Sequence, residues 1–199
     1  SIATLGFRGE ALAAISSVSK IRIFSRTKDS PMGAILTAEG GDVLDITETG
    51  CSLGTTVVVE DLFFNVPARR KFLKSDNVEF KHIVSEFIRV ALTRPEVGFT
   101  LTHNGKDVYV LRPAKSLKFR IQDMLGTNVA KEIADIKAET SVMDICGFVG
   151  RPDAARKALG NQYFFVNGRY FRSPYLHKAV MKAYENLIPD GMTPSYFIY

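Results

Sequence analysis

Apolar residues recur along the chain at two spacings, and the switch between them predicts a mixed architecture. Residues 9–19 are rich in Ala, Leu and Ile, with Leu12, Ile15 and Ser19 on one helical face. Residues 20–27 alternate, Ile21 and Ile23 against Arg22 and Phe24, as a strand does. Two strand-like runs, 33–38 and 43–47, flank Glu39-Gly40-Gly41-Asp42, a hairpin turn whose glycines permit positive φ. Residues 54–60 hold the β-branched run Thr55-Thr56-Val57-Val58-Val59, typical of a buried strand. A loop over 61–67 leads to a short basic helix at 68–73. Residues 79–93 predict an amphipathic helix, with Phe80, Ile83, Val84, Phe87, Ile88 and Ala91 inward and Lys81, His82, Glu86 and Arg89 outward. Arg94-Pro95 ends it, and Asn104-Gly105 then turns a hairpin of 98–103 with 108–112.

Proline and small residues at 113–116 mark the best boundary in the chain. Beyond it the pattern predicts a helix at 117–125 stopped by Gly126, and strands around 133–137, 141–149 and 162–166. A turn at Asn167-Gly168, a helix at 175–187 and a strand from 195 to 199 complete the series. The expected fold class is α+β with mixed sheets, divided into residues 1–112 and 113–199, without internal repeats.

Composition narrows the classes. Of 199 residues, 46% are hydrophobic and 24% charged, with a mean hydropathy of +0.02, which are globular values. No apolar run approaches the roughly 20 residues that span a bilayer, so no membrane association is expected. The two cysteines, Cys51 and Cys146, form no CxxC, which supports neither a disulfide framework nor structural zinc and suits a reducing cytoplasm. No charged-then-apolar leader opens the chain. It begins at Ser1 and stops on Tyr196-Phe197-Ile198-Tyr199, and the expectation is a piece of a longer protein. The net charge is +5. Within 151–182, Arg151, Arg156, Lys157, Arg169, Arg172, Lys178 and Lys182 face one acid, Asp153, which reads either as a solvated basic face or as the footprint of a polyanion.

Four motifs carry candidate chemistry. Gly6-Phe7-Arg8-Gly9-Glu10-Ala11-Leu12 sets two glycines and an arginine before a helix, where backbone N–H groups and a guanidinium suit an anion; the alternative is an ordinary loop-to-helix junction. Gly54-Thr55-Thr56 puts hydroxyls at a strand end, suited to a purine nitrogen or simply to β structure. Residues 65–73, Asn-Val-Pro-Ala-Arg-Arg-Lys-Phe-Leu, form a basic amphipathic turn of helix or a solvated helix end. Residues 162–169, Gln-Tyr-Phe-Phe-Val-Asn-Gly-Arg, end an aromatic strand in a turn bearing Arg169 and then Arg172, where rings beside arginines suit unpaired bases or core packing. His82, His103 and His177 are too scattered for a metal site, and no catalytic triad spacing stands out.

These strings together, "GFRGEALAAISSVSK", "GTTVVVEDLFFNVPARRKFLKS", "EFKHI" and "QYFFVNGRYFR", resemble the MutL family of DNA mismatch-repair proteins over nearly the whole chain. That family belongs to the GHKL ATPases, relatives of the gyrase B subunit and heat-shock chaperones. The resemblance implies the C-terminal part of a GHKL (Bergerat) ATPase α/β sandwich, followed by a ribosomal-S5-like transducer domain. It implies that Gly6 and Phe7 lie in an ATP lid, that Arg8, Gly9, Glu10 and Ala11 lie by the triphosphate, and that Thr56 lies nearest the adenine. It also implies a DNA-facing tip with Arg169, Arg172 and Lys178, while Pro174 stands where some relatives have another base. The implied protein is an ATP-gated homodimeric clamp that uses ATP and Mg²⁺. Its implied partners are DNA, MutS and a downstream helicase or endonuclease.

The family's other ATP-site motifs, with a glutamate base, a Mg²⁺-binding asparagine and an adenine-binding aspartate, have no counterpart in this sequence, nor does the late lysine that reaches the γ-phosphate. A pure nucleic-acid-binding module and another GHKL protein, such as a topoisomerase subunit, are the competing readings; FRGEAL followed by NVPARRKFL argues against the second. Hydrolysis needs a positioned water, a base and a metal. This chain by itself is therefore expected to bind ATP poorly and to show no ATPase above background, and a rate that co-purifies with it overturns that expectation.

Overall fold

The computed structural model describes residues 9–158 and 160–199. The chain divides into two units, Ser1–Glu79 and Phe80–Tyr199. The first opens with α1 (Ala11–Ser16), followed by β1 (Lys20–Arg26), β2 (Gly33–Glu39), β3 (Asp42–Thr49) and β4 (Gly54–Glu60). Their antiparallel sheet has the order β3-β2-β1-β4. Register gives it two unlike faces. One carries the cross-strand rows Ile46–Leu36–Ile23–Val57 and Val43–Ala38–Ile21–Val59. The other carries Lys20, Arg22, Thr37, Asp45 and Glu60, with ion pairs from Arg22 to Glu60 at 2.9 Å and from Lys20 to Asp61 at 3.1 Å. The short helix α2 (Pro67–Phe72) follows, with proline in its first turn.

Helix α3 (Asp76–Thr93) begins where the first unit ends, and from Phe80 it belongs to the second. The second unit continues with β5 (Phe99–His103) and β6 (Lys106–Leu111), joined through Asn104 and Gly105, both at positive φ. Next come α4 (Leu117–Leu125), α5 (Thr127–Lys131), β7 (Ile133–Glu139) and β8 (Asp144–Gly150). The chain ends through β9 (Gln162–Val166), β10 (Arg169–Phe171), α6 (Pro174–Ala183) and β11 (Tyr196–Ile198). Helices α4 and α6 start on a serine cap: Phe119 N–H donates to Ser116 Oγ and Leu176 N–H to Ser173 Oγ. The five-stranded sheet runs β10-β9-β11-β8-β7. Strand β11 lies parallel to β9 and antiparallel to β8.

One core joins α3, the hairpin, α4 and this sheet through Ala91, Leu92, Leu111, Ile121, Met124, Ile133, Phe148, Phe165 and Phe197. The helical stripe expected on α3 is therefore shifted. Ile83 is 53% exposed, while Leu92 is fully buried, because the contacts run from Phe87 onward against Phe99 and Tyr109. The units meet at Glu79 and Phe80 rather than at 113–116. Hydrophobic burial is the reason: Leu111, before that proline, shares a core with Ile121 after it. Arg120 adds a polar tie, donating to the carbonyls of Pro95, Val97 and Arg112 at 2.7, 2.6 and 3.2 Å from a fully buried position. Among the described residues no helix is long and apolar enough to cross a membrane.

The centre of the sheet leaves no room for a side chain at Gly147. A Cβ there would lie 1.9 Å from the Phe197 carbonyl oxygen, at a φ of +131°. Gly147→Ala must then break the β8–β11 pairing or push β11 aside. The expected loss is about 3 kcal/mol or more in urea unfolding of the whole chain, well beyond a surface substitution. A loss within about 0.5 kcal/mol would show that β11 is not seated as described.

Candidate functional site

The sequence points to two places, one in each unit. In the first, Gly6, Phe7 and Arg8 lie outside the described residues. Gly9 sits at a φ of +70°, and among the described residues nothing lies within 4 Å of where a Cβ would be, a left-handed backbone that suits close approach of another group. Glu10 is the N-cap of α1 but makes no side-chain cap bond, and Ala11 opens the helix. The far end of α1 is anchored, since Asn65 Nδ2 donates to the Ser17 carbonyl at 2.9 Å and Phe63 N–H to that of Val18 at 2.6 Å.

The two threonines separate across the sheet. Thr56 is paired with Phe24, on the face with Arg22 and Glu60. Thr55 is paired with Ser25, on the face with Ile23, Val57 and Val59. There the Ser25 and Thr55 hydroxyls lie 3.1 Å apart. Both threonines are exposed, so each is open to a ligand on its own face. An adenine ring presents flat apolar faces and a polar edge. The side that matches it is an apolar wall with a hydroxyl at its margin, which is where Thr55 stands. The run of β-branched residues hides this in the sequence, because it does not alternate.

In the second unit, β9 and β10 form a hairpin turned by Asn167 and Gly168, at φ of 49° and 76°. Phe164 and Phe165 are buried on opposite faces of the sheet, so both serve as packing. Arg169 begins β10, half-buried, and Arg172 follows the strand, exposed. Arg172 Nε donates to the Tyr170 hydroxyl at 3.1 Å, and that bond raises its guanidinium pKa. Lys178 lies exposed on α6.

Two further arginines, 75 or more residues earlier, come to the same hairpin, and the sequence gives no sign of it. The Arg89 guanidinium stacks 4.2 Å over the Tyr170 ring and pairs with Glu86. Arg94 Nη2 would lie 3.7 Å from a Cβ on Gly168. Arg89 was expected on the solvent side of its helix; instead one tyrosine holds two arginines, one by its ring and one by its hydroxyl. Among the described residues no three Asp, Glu, His or Cys side chains gather as a metal site.

A family profile described as "DNA mismatch repair protein, C-terminal domain" matches residues 121–199. The chain is 48% identical over its full length to the DNA mismatch repair protein MutL of Porphyromonas gingivalis strain W83, and 46% to that of Parabacteroides distasonis. It spans 32% of the length of each, about a third of these curated relatives. Among solved structures it resembles the Aquifex aeolicus MutL ATPase domain complexed with ADP. The TM-score is 0.77 at 31% identity, over 99% of this chain and 76% of that one.

Proposed function

The chain belongs to the MutL family of DNA mismatch-repair proteins, and on that footing we propose that the whole protein is an ATP-gated dimeric clamp acting in the cytoplasm. It binds ATP and DNA and couples mismatch recognition by MutS to strand processing by a helicase or endonuclease. In this reading the later part of the GHKL ATPase domain runs to residue 112 and the ribosomal-S5-like transducer from 113, with α3 and the β5–β6 hairpin packed into the transducer's compact unit. ATP closes the lid, pairs the N-terminal halves and holds DNA between them.

The observation that carries the DNA half is the convergence of Arg94, Arg169 and Arg172 on one hairpin, with Arg89 packed against Tyr170 in support. Guanidinium groups recognise phosphate oxygens, and such contacts give affinity without sequence preference. Lys178 adds charge from α6. For ATP, the left-handed backbone at Gly9 and the exposed start of α1 fit a polyphosphate approached by main chain. When bound, ATP supplies the phosphoanhydride whose hydrolysis resets the clamp. This chain's part is to present backbone N–H groups from Gly9 to Ala11 and a wall for the base. The facial separation on β4 makes Thr55 a better adenine contact than Thr56, since the base needs the apolar side.

Two outcomes follow. In the whole protein, Thr55→Val should weaken equilibrium ATP binding about 2- to 10-fold, the worth of one hydrogen bond, while Thr56→Val leaves it within about twofold. Equal effects would remove the facial argument. For DNA, Arg172→Glu should reduce the slope of log K against log salt by about 0.9 on duplex, the value for one phosphate contact. An unchanged slope in a variant with native circular dichroism would take Arg172 off the DNA.

A further inference from the structure

Beside the arginine hairpin, a cleft of about 430 Å³ opens between the sheet and the start of α6. Phe164, Phe171 and Tyr196 form its aromatic wall, and Gln162, Arg172 and His177 its polar edge. The wall is built in advance. The Phe164 ring lies 4.7 Å from Tyr196 and 5.8 Å from Phe171, centre to centre. Phe164 and Tyr196 are buried, and Phe171 is the ring that keeps exposure.

The polar groups are partly committed, which fixes what remains. His177 meets the Tyr196 hydroxyl through Nδ1 at 3.1 Å, leaving Nε2 outside that bond. Burial pushes Tyr196 up to about 12, so its hydroxyl keeps its proton at neutral pH. Gln162 spends its amide nitrogen on the Pro194 carbonyl at 3.3 Å, leaving its amide oxygen as an acceptor. Arg172 is oriented through Nε by the Tyr170 hydroxyl, leaving its two terminal nitrogens for an anion.

A planar ring surface, an amide oxygen, an imidazole nitrogen and a guanidinium at the mouth match one ligand chemistry: a heteroaromatic base joined to a phosphate. We propose that this cleft takes an unpaired nucleobase of a DNA single strand, stacked on Phe171, with Arg172 on the adjoining phosphate. The proposal rests on the reading that the hairpin contacts DNA, and it adds that part of the interface reads bases as well as backbone. Continuity with the arginine hairpin argues for a strand rather than a free nucleotide. Duplex DNA keeps its bases stacked, so the cleft stays empty on duplex.

The test titrates the 199-residue chain with a labelled thymidine oligonucleotide and with an abasic oligonucleotide of equal length and equal phosphate count. The thymidine strand should bind roughly tenfold tighter. Phe171→Leu should close that gap to about twofold, whereas Arg172→Glu weakens both strands alike; should Phe171→Leu fail to fold, His177→Gln is read in its place. Equal binding of both strands by the unaltered chain overturns the cleft and leaves the hairpin reading intact. Binding of neither strand overturns both. A gap that survives the variant moves the base elsewhere and sinks the assignment, and competition by free thymidine monophosphate at the strand's own affinity replaces the strand with a nucleotide.

Discussion

The second unit depends on a strand of three residues. Tyr196, Phe197 and Ile198 enter between β8 and β9 and turn two separate pairs, β7–β8 and β9–β10, into one sheet. Phe197 is wholly buried there, a side chain that contributes about 1.5–3 kcal/mol by leaving water. It stacks on Tyr163 at 5.5 Å, and the next residue but one, Tyr199, donates its hydroxyl to the Leu92 carbonyl on α3. On the other face Tyr196 meets His177 of α6. Both helical layers are therefore keyed to the same short insertion. Gly147, paired with Ile198 and lying against the Phe197 carbonyl, is the geometric condition for it.

Arg120 shows a different kind of constraint. Its guanidinium is buried, and desolvation lowers its pKa although Asp123 and Glu96 oppose the change. The hydrogen-bond acceptors it meets are three backbone carbonyls, and Nε and Nη1 have no hydrogen-bond partner among the described residues. Neutral acceptors offset only part of the cost of taking a charge from water. What the arrangement secures is position: the ends of β5 and β6, at Val97 and Arg112, are drawn to the start of α4. An apolar residue of similar size would pack without specifying that meeting point.

These two features mark where reading the sequence stops. The elements themselves were legible because their causes are local. Asn104-Gly105 and Asn167-Gly168 demand positive φ, Gly126 ends α4, and the apolar spacing of α3 needs no partner to be seen. The insertion of β11 between strands that precede it by 30 to 50 residues has no local cause. A charged residue on an amphipathic helix looks solvated until its neighbours are known, which is why neither Arg120 nor Arg89 stood out. Which face Thr55 and Thr56 each take needed the register with β1, because a run of five β-branched residues fits either face. The short helix α5 also went unread, being a single turn following a glycine stop.

The arginine cluster is best understood as a matter of aim. Exposed ion pairs and cation–π contacts contribute little to stability, a fraction of a kcal/mol to about 1 kcal/mol each. The exposed Tyr170–Arg172 contact therefore adds little to holding the fold together, while Arg89, its side chain 16% exposed, supports the Tyr170 ring. The effect of the arrangement is to spend, in advance, the side-chain freedom that a free arginine loses on meeting a phosphate. Tyr170 can do this because β10 is held by β9, whose own rings are locked in the core on both sides of the sheet. A rigid aromatic scaffold thus converts charges from two distant parts of the chain into one oriented surface. A surface prepared in this way needs little reordering to receive a polyanion.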